Sequence, residues 1–187
     1  MASCAVLMAE GYEEGETLTI VDILRRAGVI CHTFSFQGNF VKGMHGMMVK
    51  ADKYFGEEVK GYDMIVLPGG RPGGANLKDN PAVIAMVRYF DEQGKFVTAM
   101  CSGTTVLEEA QVIRGRNVTG YVGYAEKLPS GHFQDRVVVQ DGKLITGQGP
   151  ATVYPFAYRL AEALGADIGM IRTRMLYDFA GGKEYRD

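Results

Sequence analysis

Cysteine is scarce: Cys4, Cys31 and Cys101 are the only three in 187 residues. An odd number at no metal-like spacing argues against a disulfide scaffold and fits a reduced intracellular thiol protein. Positive charge is nowhere concentrated. Twenty Lys and Arg face 22 Asp and Glu, for a net charge of −2, whereas a nucleic-acid or anionic-membrane partner needs clustered cations. No segment approaches the roughly 18 to 20 apolar residues of a membrane span. The N-terminus lacks a basic region and turns acidic after Ala9, at Glu10, Glu13, Glu14 and Glu16, which is the wrong polarity for a signal peptide. Linkers, low-complexity tracts and repeats are missing. Histidine is limited to His32, His45 and His132. They are scattered and no pair has metal-ligand spacing, so neither a metal site nor a Cys/His pairing follows from them. The expectation is a cytoplasmic protein with one globular domain over residues 1–187.

What is present is hydrophobic patterning. At 47% hydrophobic and 22% charged, the chain can bury a sizeable core. Residues 4–9 are apolar on both faces, as a central parallel strand must be. A helical period follows over 14–27, closed by Gly28, and 29–36 reads as a second strand. Residues 44–50 read as a short strand or part of a hairpin. Residues 62–67 form another buried strand, stopped by Pro68-Gly69-Gly70, and Asn80-Pro81 opens a helix to about Gln93. A strand over 95–100 runs directly into Cys101, with a helix over 104–112. Strands 136–140 and 144–147 flank the hairpin turn Asp141-Gly142, and 150–164 is a long helix. This alternation predicts an α/β sandwich whose mostly parallel sheet carries helices on both faces. Ligands then bind beyond the carboxyl ends of the strands, at residues 10–15, 68–74 and 101–103.

The strand-to-helix turn at Cys101 is the most informative stretch. Ala99 and Gly103 sit two residues either side of the thiol, the small-x-nucleophile-x-small form of a nucleophile elbow. The amides that follow, including that of Ser102, would point near the sulfur and favour an anion there. Such settings lower a thiol pKa from about 8.5 to roughly 3.5–7.5. Glycines after Pro68 would let a backbone amide approach a bound oxygen, while Arg71-Pro72-Gly73-Gly74 reads as an irregular loop. If a helix begins near Glu14, Glu16 shares the face of Ile20, Ile23 and Leu24. A carboxyl on that buried stripe would have its pKa raised and could stay protonated against sulfur. Periodicity leaves Glu13 and Glu16 nearly tied for this role, and both also suit a plain helix N-terminus. Cys4, Cys31 and His32 fall in strands as packing residues, and His132 falls in an exposed loop.

Taken together, these motifs resemble the ThiJ/PfpI superfamily, in particular the branch containing the parkinsonism-linked protein deglycase. The carriers are Glu13-Glu14-Gly15-Glu16-Thr17, Val21-Asp22-Ile23-Leu24-Arg25-Arg26-Ala27-Gly28, Val66-Leu67-Pro68-Gly69-Gly70, Ala99-Met100-Cys101-Ser102-Gly103 and Gly149-Pro150-Ala151-Thr152, spread over nearly the whole chain. The resemblance implies a flavodoxin-like three-layer sandwich and a homodimer. It matches Cys101 to the family's reactive, oxidation-prone cysteine and Glu16 to the acid that hydrogen-bonds it. It matches Gly70 and Ser102 to positions whose amides face the sulfur or a bound oxyanion. Three positions depart from the pattern. Ser102 stands where the protease-like branch has His, which counts against peptidase activity. Tyr121 stands where the deglycase branch often has His. His45 lies near a position where that branch has Arg, approaching the partner subunit's site. The downstream His and carboxylate pair of glutamine amidotransferases is not found.

The reading that follows is cysteine chemistry on small reactive carbonyl compounds or glycated protein. Cys101 attacks as a thiolate, Glu16 moves protons, the Gly70 and Ser102 amides hold the oxyanion, and no cofactor is required. The rival is a redox-sensing or stress-protective, chaperone-like protein whose Cys101 oxidises to sulfinic acid without turnover. A binding-only module on a common fold is the third reading.

Overall fold

Strand β1 (Ser3–Met8) is buried on both sides, with Ala5 and Leu7 facing one apolar layer and Cys4 and Val6 the other. In this computed structural model, which describes residues 1–181, that strand lies near the middle of a seven-stranded sheet. The other strands are β2 (Ile30–Ser35), β3 (Phe40–Lys42), β4 (Met48–Lys50), β5 (Lys53–Tyr54), β6 (Met64–Leu67), β7 (Phe96–Met100), β8 (Asn117–Val118), β9 (His132–Phe133), β10 (Val138–Asp141) and β11 (Leu144–Gly147). The main sheet has the order β10-β11-β7-β6-β1-β2-β5. All its pairings are parallel except the β10–β11 hairpin.

Helices cover both faces. On one, α1 (Glu14–Arg26) and α5 (Val153–Ala163) bury Ile20, Ile23 and Leu24 with Phe156, Ala157 and Leu160. On the other, α2 (Gly73–Lys78), α3 (Pro81–Glu92) and α4 (Thr104–Glu109) bury Leu77, Val83, Phe90, Val106 and Leu107. Two further helices, α6 (Gly169–Arg174) and α7 (Tyr177–Gly181), follow. The result is the expected three-layer, flavodoxin-like α/β sandwich.

Several local features are settled or altered relative to the sequence reading, among them short strands β5, β8 and β9, the last holding His132. Residues 44–50 belong to a hairpin, the second of the two readings offered for them: β4 pairs antiparallel with β3, Val41 opposite Val49, and Met44 and His45 occupy the turn between them. That turn is tied down by Met44 N–H donating to the Tyr12 carbonyl at 2.9 Å and Gly11 N–H to the Lys42 carbonyl at 2.8 Å. The stretch after Arg71 is helical from Gly73, because two glycines that weaken intrinsic helix propensity pack closely on Gly11 and Ser102. The last long helix starts as a 3-10 turn at Pro150–Thr152, where the Thr152 hydroxyl bonds back to Gly149. Helices α6 and α7 have no counterpart in the sequence reading, which stopped at Gly165.

Adjacent β1, β6 and β7 end side by side, with Val6 opposite Val66 and Leu67 opposite Ala99. Their following loops therefore meet at one edge of the sheet. Contact there is tight: a Cβ at Gly103 would lie 2.2 Å from the Leu67 carbonyl oxygen and 2.6 Å from that of Pro68. Gly103→Ala should therefore cost ~3 kcal/mol, the upper end of overpacking penalties, read as a lowered urea midpoint. A loss below ~1 kcal/mol would show that the two turns are free to separate.

Candidate active site

Cys101 leaves β7 and opens a 3-10 turn, Cys101–Gly103, that leads into α4. Its φ is +53°, the left-handed region that costs a non-glycine residue about 1–3 kcal/mol and persists only where neighbours impose it. The neighbours here are identifiable. Thr104 Oγ1 donates to the Cys101 carbonyl at 2.7 Å, and Ser102 Oγ donates to the Gly70 carbonyl at 3.0 Å. The strained turn presents a thiol that is 8% exposed, with the Ser102 N–H directed at the sulfur.

Glu16 stands against that thiol. It is wholly buried in the first turn of α1, and its Oε2 accepts the Gly69 N–H at 2.7 Å. Gly69 passes so close that a Cβ would come within 2.7 Å of Cys101 Cβ, 2.9 Å of Glu16 Oε2 and 3.0 Å of Cys101 Sγ. Only glycine fits between the two groups. Glu16 Oε1 has no hydrogen-bond partner among the described residues, an orphan that a proton shared with sulfur would satisfy. Burial pushes the Glu16 carboxyl up to about 7, partly offset by the Gly69 N–H and the Cys101 thiol. The same burial, with the Glu16 charge and hydrogen bond added, pushes the thiol up to about 12 against the lowering effect of the Ser102 N–H. The expected depression of the thiol pKa is therefore corrected. One amide does not outweigh desolvation beside a carboxylate, and the pair holds two protons below about pH 7 and one, on the sulfur, above it.

The sulfur opens onto a cavity of about 330 Å³ lined by Glu13, His45, Gly70, Arg71, Ser102 and Tyr121, among others. All six residues singled out from the sequence thus meet at this one place, except that Glu16 lies behind the sulfur rather than on the wall. Gly70 has φ +114°, and its N–H finds no acceptor among the described residues; Gly69 holds the carboxylate. Glu13 is the N-cap of α1, its Oε2 accepting the Glu16 N–H at 2.5 Å, which separates it from Glu16 on geometry. Tyr121 is half-exposed and packs edge-on against Tyr124 at 5.6 Å.

His45 lines the pocket of its own chain. Its N–H donates to Glu14 Oε1 at 2.7 Å and its Nδ1 lies 2.8 Å from Glu14 Oε2. Glu14 is almost completely buried. Burial pushes its carboxyl up, but hydrogen bonds from the His45 ring and from the Glu14, His45 and Met47 amides outweigh that and hold it below the usual carboxylate range. Glu13, Glu14 and His45 bring ligand-type atoms within 4.8 Å of one another, a convergence that sequence spacing could not show across 31 residues. Gly69 lay in the glycine turn already singled out, but its bond to Glu16 was not foreseen, and Arg71 was read only as part of an irregular loop. Among the described residues, no helix is long and apolar enough to cross a membrane.

Glu16 ties stability to pH. In the fold it keeps its proton to about pH 7, against about 4.5 when free. The stability it contributes is complete below pH 4.5 and is lost as pH rises through 7, a swing of ~3 kcal/mol. Glu16→Gln has no proton to lose, so urea unfolding should show the variant gaining on the native protein by that amount between pH 4.5 and pH 8. Parallel stability curves would mean the carboxyl is not desolvated as its burial implies.

Comparison with known proteins identifies the family. The model of the DJ-1/PfpI family matches residues 2–163. The Parkinson disease protein 7 homolog of Danio rerio is 33% identical over 172 residues, covering 87% of this chain and 90% of that protein. Deglycase PfpI of Pyrococcus furiosus is 29% identical over 161 residues, covering 84% and 96%. Among solved structures, a mutant of a DJ-1 superfamily protein from Salmonella typhimurium superposes with a TM-score of 0.87 at 35% identity, covering 96% and 98% of the two chains. With the family model matched over most of the chain and a relative 33% identical over nearly its full length, the chain belongs to the DJ-1/PfpI family.

Proposed function

We propose that the protein is a cysteine-dependent enzyme acting on small reactive carbonyl compounds, of the methylglyoxal type, or on their adducts with protein side chains. The observation that carries this reading is the contact of Cys101 and Glu16 across Gly69 at the floor of a pocket that also holds the unused Gly70 N–H. A carboxyl titrating near 7 is poised as a general base at neutral pH. It takes the thiol proton as Cys101 Sγ bonds to the carbonyl carbon, so no standing thiolate is required. The oxygen of that carbonyl gains charge, and the Gly70 N–H, with no protein acceptor, is available to receive it together with Ser102. A cavity of about 330 Å³ is at the small end of ligand sites, which favours a compact carbonyl or a single modified side chain as occupant. One relative bears the name deglycase, which supports the same chemistry.

A thiol 8% exposed and raised to about 12 is a slow target for bulk peroxide, because oxidation follows thiolate character and access. Turnover is preferred here over oxidation to sulfinic acid because the cavity over the sulfur and the free Gly70 N–H suit an organic carbonyl. Native protein incubated with methylglyoxal should form lactate, and Cys101→Ala should lose at least about 100-fold in rate. Equal lactate formation by the two would remove Cys101 from the chemistry. Selective addition of two oxygens to Cys101 by mild peroxide, with negligible lactate, would favour the redox reading.

A further inference from the structure

The carbonyl chemistry proposed above needs a step that Glu16 is badly placed to perform. Converting a 2-oxoaldehyde to a hydroxy acid moves a hydrogen from one carbon to its neighbour, out in the pocket and beyond the sulfur. Glu16 lies behind the sulfur, with one oxygen occupied by Gly69. Across the cavity stands His45, on the β3–β4 turn. Its partner Glu14 is an ionised, buried carboxylate, which only accepts hydrogen bonds, so the 2.8 Å contact fixes the proton on His45 Nδ1. In the neutral imidazole Nε2 is then the acceptor, and among the described residues it has no protein partner. A carboxylate that holds one imidazole nitrogen so that the other can take a proton is the arrangement of histidine general bases.

We propose that His45 is a second proton-transfer group of this site, with Glu14 as its positioning residue, and that its Nε2 moves a carbon-bound proton of a substrate held on Cys101. The inference rests on the carbonyl reading. Cys101 Sγ bonds to the aldehyde carbon, its own proton passes to Glu16, and the oxyanion is protonated to a hemithioacetal. His45 Nε2 then takes the hydrogen on that carbon as a proton, the electron pair left behind forms an enediolate, and the hydroxyl proton of the first carbon passes to the oxygen of the second. The proton returns to the neighbouring carbon. The first carbon is thereby oxidised to a thioester and the second reduced to an alcohol, so no outside oxidant is needed. Water adds to the thioester, giving its proton to Nε2, and the C–S bond breaks to release the hydroxy acid and the thiol.

The competing use of these side chains is a metal ion held by Glu13, Glu14 and His45. It fits less well, since Glu13 Oε2 is already bonded to the Glu16 N–H and both Glu14 oxygens to His45. The test uses the full chain with methylglyoxal as the probe. His45→Gln and His45→Ala should each lower kcat at least 100-fold, within the range of general-base contributions of about 10² to 10⁴. Both should leave Cys101 alkylation by iodoacetamide within about twofold of native, and added imidazole should restore part of the turnover of His45→Ala but none of Cys101→Ala. Glu14→Gln should lower kcat less and leave KM unchanged. Turnover of His45→Gln within about threefold of native would overturn the proposal. So would loss of native activity to a chelator with recovery on adding Zn²⁺ or Mn²⁺, or an activity loss in His45→Ala that imidazole does not touch. If the native protein makes no lactate, the carbonyl reading fails first and takes this step with it, a result visible before any substitution.

Discussion

A buried thiol and a buried carboxyl in contact cannot both carry charge, because each would be desolvated beside a like anion. That constraint governs the site. Cys101 and Glu16 meet across Gly69, whose missing side chain is what permits the contact and whose N–H holds one carboxyl oxygen. Above about pH 7 the pair keeps a single proton, and the surrounding backbone decides how readily it moves. Ser102 contributes an N–H toward sulfur and Gly69 one toward the carboxylate. These two amides oppose each other, and their balance sets which atom bears the charge when a substrate arrives.

The sheet makes this meeting possible. Helix α1 follows β1, the Pro68-Gly69-Gly70 turn follows β6 and the elbow follows β7, and these three strands are neighbours ending together. Glu16 and Cys101 are 85 positions apart in sequence, yet parallel crossovers return each strand to the same edge. Gly103 lies against the Leu67 and Pro68 carbonyls, so the elbow and the glycine turn act as one packed unit. The left-handed conformation of Cys101 is held between them, and strain at the reactive residue is sustained by contacts made elsewhere.

Much of this was legible in the sequence because it rests on local patterns. Two-faced apolar runs marked β1, β6 and β7, small residues around Cys101 marked the elbow, and helical spacing put Glu16 on the buried stripe of α1. The segment around His45 was legible only as a strand or part of a hairpin, since residues 44–50 carry too little alternation to separate the two. The Glu14–His45 contact was invisible for the same reason: it joins a helix start to a distant turn and leaves no spacing signature. The thiol pKa was misjudged because helix-start amides were weighed without the desolvation that burial beside Glu16 brings. Short-range chemistry could be read from residue order, while the strength of electrostatic terms required knowing what surrounds each group.

Three glutamates near the start of α1 show how finely helix geometry divides labour. Glu13, Glu14 and Glu16 are close in sequence and identical in chemistry. Glu13 lies just outside the helix, extended, and caps it through the Glu16 N–H. Glu14 turns toward the β3–β4 hairpin and is held ionised by amides and an imidazole. Glu16, roughly two helical steps of 100° further on, points into the sheet and is held near neutrality by burial. Their surroundings alone separate a structural cap, a fixed anion and a titrating acid, so moving the helix start by one residue would exchange these environments and undo the site while leaving the fold intact.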